Sequence, residues 1–371
     1  NFSKHAGRVA LPPTAPSSKP FKLYKSLLPR FLLLLIVSIL LISCETVSYY
    51  SQAARGQAAI VLGREDIQNL LDSDELPQNL QEKFTLVLEV RQFAEQQLLL
   101  PVNDNYSNYV DLNREHVVWN VFAAPEFSVD PINWCFPIAG CVSYRGYFSE
   151  SAAIQYAEKL KNDGYDVYTG GVDAYSTLGW FEDPLLSSVL TRPNHQLAAL
   201  IFHELAHQLT YLPGDTRFNE SFATAVEREG LRRWLQGSGE QQLMEMARLD
   251  SERQEQFVEL IEIYQSKFEE LFSQGTVESE MRRQKGSLQA ELREEYQSLK
   301  QQWDGYAGYD NWFNQSLNNA QLSTVSSYNQ LVPFFNDLLV QSGGDLQQFY
   351  AEVQRISELS EEDRVTLLPQ I

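Results

Sequence analysis

Apolar positions along this chain recur at two different periods, and the change of period marks out its elements. From Tyr49 to about Leu100 they fall at three- and four-residue spacing, around Ile60-Val61-Leu62 and from Phe84 onward, between Gln- and Glu-rich positions. That spacing predicts helix. Pro101 to Asp111 reads as a loop. His116 to Phe122 and Val142 to Phe148 are rich in β-branched and aromatic residues and predict strands. Ser149 to Asn162 predicts an amphipathic helix, capped by Ser149 and ended by Asp163-Gly164. Short strands are expected at Asp166 to Tyr168 and at Ala174 to Phe181, the second stopped by Asp183-Pro184. Two helices follow, from about Asn194 to Tyr211 and from about Asn219 to Leu235.

The pattern changes at Gly237. From there to Trp303 the chain is rich in Gln, Glu and Arg, with sparse Leu, Ile and Phe and a break near Ser273-Gln274-Gly275. Two long, solvated antiparallel helices are the expectation. A plain hairpin is the simpler reading, and a lid or partner-docking arm is the functional one. After Trp303 an aromatic, Asn-rich stretch from Tyr306 to Phe335 leads into C-terminal helices. The class is therefore α+β and helix-rich, with a small mixed or antiparallel sheet and a long C-terminal helical region. The chain carries no internal repeat, Gly-rich phosphate loop or dinucleotide fingerprint.

Chemistry concentrates in His203-Glu204-Leu205-Ala206-His207, followed twelve residues later by Asn219-Glu220-Ser221-Phe222-Ala223. Histidines four apart project from one helix face and can hold one Zn²⁺ per chain together. Glu204 lies beside that face, where a carboxylate can take a proton from water. Glu220, on the next helix, supplies a third, oxygen ligand, and the fourth tetrahedral position stays open for water, as in catalytic zinc. The apolar stretch Leu197 to Phe202 predicts that this helix is buried beneath the site. Pro213-Gly214-Asp215 permits the tight turn the short spacing requires.

The 371 residues carry a net charge of −20, but the first thirty hold six basic residues and no acid, and Phe31 to Ile42 is apolar. This is a basic n-region and an h-region too short to span a bilayer comfortably. It ends in Leu41-Ile42-Ser43-Cys44, which resembles the lipobox of bacterial lipoproteins, where cleavage precedes a diacylated cysteine. An uncleaved anchoring helix is the alternative. The n-region is long and opens at Asn1, so the sequence does not fix the start of translation. Removing residues 1–43 shifts the net charge from −20 to −26. Such a surface repels nucleic acid and offers no polybasic attachment to anionic lipid, so membrane attachment would rest on the acyl chains at Cys44. Glu45, rather than Asp, follows the cysteine and favours outer-membrane sorting. In an oxidising periplasm Cys135 and Cys141 can close a disulfide across a short loop containing Pro137 and Gly140. Two buried free thiols are the alternative.

Asn219 to Ala223 resembles the Asn-Glu-x-Phe-Ala helix of gluzincin-type, aminopeptidase N-like enzymes. A wider set of segments is similar to a family of bacterial lipoproteins described as aminopeptidases: Val118 to Asn120, Trp134 to Cys141, Tyr144 to Phe148, Ala174 to Pro184, Phe202 to Ala223 and Leu317 to Pro333. This resemblance implies a zincin-like core at 116–236, after a signal peptide at 1–43 and a helical region at 44–115. The helical hairpin at 237–303 and a region at 304–371 that completes the catalytic domain follow. It also implies a periplasm-facing, membrane-tethered zinc aminopeptidase acting on peptides, with Glu204 as general base. An endopeptidase, or an idle zincin-fold lipoprotein whose 237–303 helices bind an envelope protein, are the alternatives. For the oxyanion donor Tyr328 is the choice, over Tyr306 and Tyr309. His195 reads as a cap or surface residue. Asp215 or Glu227 could orient the ligand histidines. The peptide would add to the strand Ala174 to Phe181, where Gly179 lets a backbone approach and Tyr175 and Trp180 wall a pocket. Glu126 and Glu182 are candidates to receive a substrate's α-ammonium.

Overall fold

The computed structural model describes residues 45–136, 140–174, 182–239, 241–329 and 331–368, without the side chains of 238 and 326–329. Helical residues 45–51 fall in a unit of their own, and everything below concerns the unit beginning at Gln52. Cys44, and with it the expected lipidation site, lies outside the described residues.

Residues 52–62 are helical (α1); the chain turns at Gly63, passes strand β1 (Glu65–Asp66) and enters a short helix, α2 (Ile67–Leu71). Asp66 caps α2 by accepting from the Asn69 amide at 2.8 Å. Helix α3 (Gln78–Gln97) starts directly after Pro77. The continuous helical pattern expected from Tyr49 to Leu100 is thus three helices. Gly63 takes the first turn, and Pro77, which has no N–H to offer, can only open a helix.

Strands β2 (Asn108–Val110), β3 (Val118–Pro125), β4 (Trp134–Phe136), β5 (Gly140–Val142) and β6 (Arg145–Tyr147) precede helix α4 (Glu150–Asn162), which Ser149 caps. Strands β7 (Tyr165–Val172) and β8 (Leu185–Leu186) follow. The main sheet has the order β6-β3-β7, all antiparallel, with Trp119 opposite both Tyr147 and Gly171. Strand β2 pairs antiparallel with β1 and parallel with β8, and β4 pairs with β5 as a separate ribbon. In β3 five consecutive residues, Asn120 to Ala124, are buried, which a strand shows when both of its faces are covered. The strand expected over Val142 to Phe148 is divided at Ser143-Tyr144, because its two halves pair with different partners. Strand β7 runs well past the Asp166 to Tyr168 expected of it. Residues 175–181, where a further strand was expected, lie outside the described residues.

The rest is helical: α5 (Asn194–Leu209), α6 (Thr216–Ser238), α7 (Gln241–Ser273), α8 (Glu278–Gln302), α9 (Asp310–Phe313), α10 (Asn319–Asn329), α11 (Val332–Gln341), α12 (Leu346–Ser357) and α13 (Glu361–Leu367). The fold is α+β. Helix α5 buries Leu197, Ala198, Ala199, Ile201, Phe202, Leu205 and Ala206 and so is apolar nearly all round, as interior helices are. It packs on α3 and α6. At the α5–α6 crossing a methyl at Gly230 would lie 2.9 Å from the Phe202 ring and 2.8 Å from Leu98, so glycine sets how closely these helices approach. One core gathers α3, α5, α6, α11 and α12, with Phe218, Phe222, Phe335 and Phe349 at its centre.

A second core lies under the long hairpin. Phe257, Ile261, Tyr264 and Phe268 of α7 pack with Leu292 and Tyr296 of α8 and with Trp303, Phe313, Leu317 and Leu322. The hairpin is therefore solvated on one face only. Helix α10 packs on β3, β7, α6 and α7 and joins the two halves. Among the described residues no helix is long and apolar enough to cross a membrane.

Candidate metal centre

The two helices that carry the site are fixed by the turn between them. Helix α5 ends at Leu209, two residues short of expectation, and α6 opens at Thr216 with Asp215 as its cap, accepting from the Phe218 amide at 3.0 Å. Asp215 is thus spent on the helix start and does not orient a histidine. Asn219, buried in the first turn of α6, closes the connection. Its carboxamide oxygen accepts from the Leu212 amide at 2.7 Å, and its nitrogen donates to the Leu212 carbonyl at 2.8 Å. One side chain satisfies both polar groups of a residue in the turn, which makes the short spacing between His207 and Glu220 possible. Sequence reading missed this role, although Asn219 stands directly before Glu220.

With the helices so placed, His203, His207 and Glu220 bring one ligand atom each to within 4.8 Å of one another. The Glu220 carboxylate serves both rings, with Oε2 3.3 Å from Nε2 of His203 and Oε1 3.7 Å from Nε2 of His207. Ligands bound tetrahedrally near 2.1 Å from one ion stand about 3.4 Å apart, so the spacing fits a small divalent cation. The electrostatics fit as well. Glu204, Glu220 and Glu227 gather here, and among the described residues none of them pairs with Lys or Arg. Three carboxylates gathered where solvation is poor and facing only two imidazoles leave a surplus of negative charge that a cation would balance.

Glu227 lies two helical turns after Glu220, and its Oε2 is 3.0 Å from Nδ1 of His203. A carboxylate there favours the tautomer with the proton on Nδ1, which leaves Nε2 turned to the corner. Burial works against a charge on His203, but the carboxylates of Glu220 and Glu227 outweigh it and hold the ring well above the usual histidine range. His207 has no acid of its own at Nδ1, which is buried without a partner, and burial holds it down at about 4. The Glu204 carboxyl is pushed up to about 7, chiefly by lost solvation. The His203 charge opposes this, while Glu220, Asp183 and Glu227 add to it.

Two residues beside Glu204 had no signal in the sequence. Asp183 accepts from the Gln208 side chain at 3.2 Å, and its backbone is held by Asn105 Oδ1 and the Tyr106 amide, both at 2.7 Å. Tyr106, buried at a φ of 58°, is within electrostatic reach of Glu204 and is raised well above the usual phenol range by burial, then by Glu204 and Asp183. Both come from loops without periodicity.

The remaining candidates are more scattered. Tyr309 stacks on Phe257 with ring centroids 4.3 Å apart and Tyr306 packs edge-on to Trp303, so both belong to the hairpin core. Tyr328 sits in α10, which packs on α6, but its side chain lies outside the described residues, as do Tyr175, Gly179 and Trp180. His195 is neither cap nor surface residue. Pro193 takes the cap position, and the buried ring places Nε2 3.2 Å from Asp250 of α7. Glu126 is clasped by Arg282 of α8 through both oxygens, at 2.6 and 2.8 Å, and Arg64 engages Glu182. Cys135 and Cys141 stand directly opposite in the β4–β5 ribbon and form a disulfide.

The model of the family described as Putative aminopeptidase matches residues 48–368. No curated protein and no solved structure matches the chain.

Proposed function

The chain belongs to that aminopeptidase family, and from this premise we propose that it is a zinc metallopeptidase of zincin type that removes residues from the amino end of peptides. The observation that carries the reading is the convergence of His203, His207 and Glu220 within 4.8 Å, with Glu204 beside the two histidines on α5. These three residues would hold the ion. Two imidazoles and a carboxylate are a donor set of catalytic rather than structural zinc, because they leave a coordination position open. Bound there, zinc supplies Lewis acidity, lowering the pKa of a coordinated water to about 7 and polarising the scissile carbonyl.

The chain's own residues do the rest. Glu204 accepts the proton of the attacking water and returns it to the leaving amine. Its position near pH 7 suits both halves of that task, strong enough as a base to take the proton and weak enough to give it up. Glu227 keeps His203 in the ligating tautomer. Tyr328, from a helix packed on the ligand helix, is the proposed oxyanion donor. Tyr175, Gly179 and Trp180 are proposed to receive the peptide. The protein is proposed to be tethered through acylated Cys44 to the periplasmic side of a bacterial membrane, the outer membrane by preference, with the outer face of the α7–α8 hairpin open to an envelope partner.

The test is an assay of purified protein on aminoacyl reporters and on internally quenched peptides, with a chelator and then with zinc restored. Cleavage of the aminoacyl reporters that chelation abolishes and zinc returns is expected. Chelator-insensitive turnover, or none on either substrate, overturns the reading.

A further inference from the structure

The disulfide ribbon touches the one segment that sets the spacing of the metal ligands. At the β4–β5 ribbon Gly140 lies against the Pro213-Gly214 turn, and a methyl at Gly140 would stand 2.7 Å from the Gly214 nitrogen and 3.2 Å from the Pro213 carbonyl carbon. Gly140 has a φ of +74° and Gly214 a φ of +87°, so both backbones adopt the left-handed region at the contact. Gly214 in turn comes within 3.9 Å of the Cys141 amide by the same measure. Asn219 holds the turn from inside, at Leu212; the ribbon holds it from outside, at its tip.

The ribbon is itself rooted on the sheet side. The Ile132 amide donates to the Ala123 carbonyl of β3 at 2.8 Å, and the Trp134 indole donates to the Tyr156 hydroxyl of α4 at 3.0 Å. Between root and tip it consists of two three-residue strands. A two-stranded ribbon that short is marginal in water, so its covalent cross-link decides whether it keeps its shape. Both cysteines are exposed, which leaves the bond open to a thiolate.

From this we propose that the Cys135–Cys141 ribbon is a redox-dependent clamp on the His207–Glu220 turn, and that opening the disulfide weakens metal binding. The proposal rests on the zinc reading of the site. In the opening step a dithiol gives two electrons and two protons to the disulfide. The Cys135–Cys141 bond breaks, two thiols form, and the dithiol closes to its own disulfide. The ribbon then loosens, the Pro213-Gly214 turn loses its outer support, and Glu220 is held less firmly against the two histidines. Removing a support of a ligand shell costs about tenfold to a hundredfold in metal affinity.

The experiment measures zinc affinity by competition with a chromophoric chelator, and amide hydrogen exchange over residues 209–218. Three forms are compared: oxidised protein, protein reduced with a phosphine that does not itself bind zinc, and the Cys135→Ser/Cys141→Ser variant, which controls for zinc capture by new thiols. The expected result is a zinc dissociation constant about 10–100 times higher in both opened forms, with faster exchange at Gly214 and Asp215 and an unchanged circular dichroism spectrum. Gly140→Ala, which keeps the disulfide but crowds the turn, should shift affinity in the same direction and decides the matter if the double variant does not fold. Equal affinity and equal exchange in the opened forms, or unchanged affinity in a folded Gly140→Ala protein, overturns the clamp and leaves the zinc reading standing. Oxidised protein that binds no zinc overturns both.

Discussion

Two helix pairs in this molecule, each joined by a turn, place their acids in opposite settings. In α7 and α8 most charges lie outside, and several pair along their own helix. Arg248 meets Glu245 and Glu252, and Arg283 meets Glu280, on the solvent side, while Phe257, Ile261, Tyr264 and Phe268 face inward. At the α5–α6 turn the acids beside the histidines lie largely inside. Glu204, Glu220 and Glu227 face two histidines across a short, stapled turn. Surface pairs satisfy one another or are satisfied by water, and each contributes little. The inner acids have little water and, among the described residues, no Lys or Arg. Charge left unbalanced where solvation is poor is what separates a site from a solvated helix, and counting acids along the sequence would not reveal it.

The contrast can be broken most directly at the ligands. His203→Ala and His207→Ala should each leave protein that retains no zinc after dialysis, because two remaining ligands hold the ion poorly; elemental analysis reads this directly. Glu204→Gln should keep its zinc and lose about 10²- to 10⁴-fold in turnover, the range a general base contributes. The same change on the hairpin, Glu280→Gln, should leave both unaltered. If Glu204→Gln lost metal instead, its assignment as a base rather than a ligand would be wrong.

A buried charge in the hairpin half should respond in stability, not in metal. Lys285, nearly inaccessible, donates to Asp166 at 2.5 Å and to the Glu126 carbonyl at 2.7 Å. Lys285→Ala should cost about 3–5 kcal/mol in denaturant unfolding, since it strands an acid, while zinc affinity stays as it was. Glu227→Gln should have a smaller effect in the opposite column. Zinc binding should weaken about 10–100-fold with the melting temperature little changed. Its pH dependence follows from the raised position of His203. A group held above its usual value keeps its proton until the pH exceeds that raised value, and zinc must displace it. Affinity in the parent should therefore fall as pH falls, with about one proton released per ion bound. Calorimetry in buffers of different ionisation enthalpy would measure this, and Glu227→Gln should release less.

How much of this was legible in the sequence depends on whether the information was local. The three ligands and Glu204 lie within eighteen residues and their spacing is set by one helix and one turn, so the sequence placed them on adjacent helices. The inward residues of α7 recur at the three- and four-residue spacing noted in the sequence, but nothing in that spacing says that a second core waits beneath them. Tyr106 and Asp183 reach Glu204 from loops that share no pattern with it. His195 failed for the same reason. The partner of its ring nitrogen is Asp250, 55 residues away. The long N-terminal helical pattern failed for a different one. Periodicity continues across Gly63 and Pro77, while the backbone cannot.

The stapled turn also bears on the order in which the molecule can assemble. Only twelve residues separate the second histidine from Glu220, and the entropy of closing a loop grows with its length. The three ligands therefore need no distant segment of chain to meet one another, and Asn219 makes the closure from within that same stretch. The hairpin core, by contrast, must bring Phe257 onto Leu317 and Leu322 across a far longer span. Contacts of short reach form sooner than those of long reach. The metal corner can thus take shape while the α7–α8 half is still searching for its partner surface, and a cation captured early would hold α5 to α6 during that search.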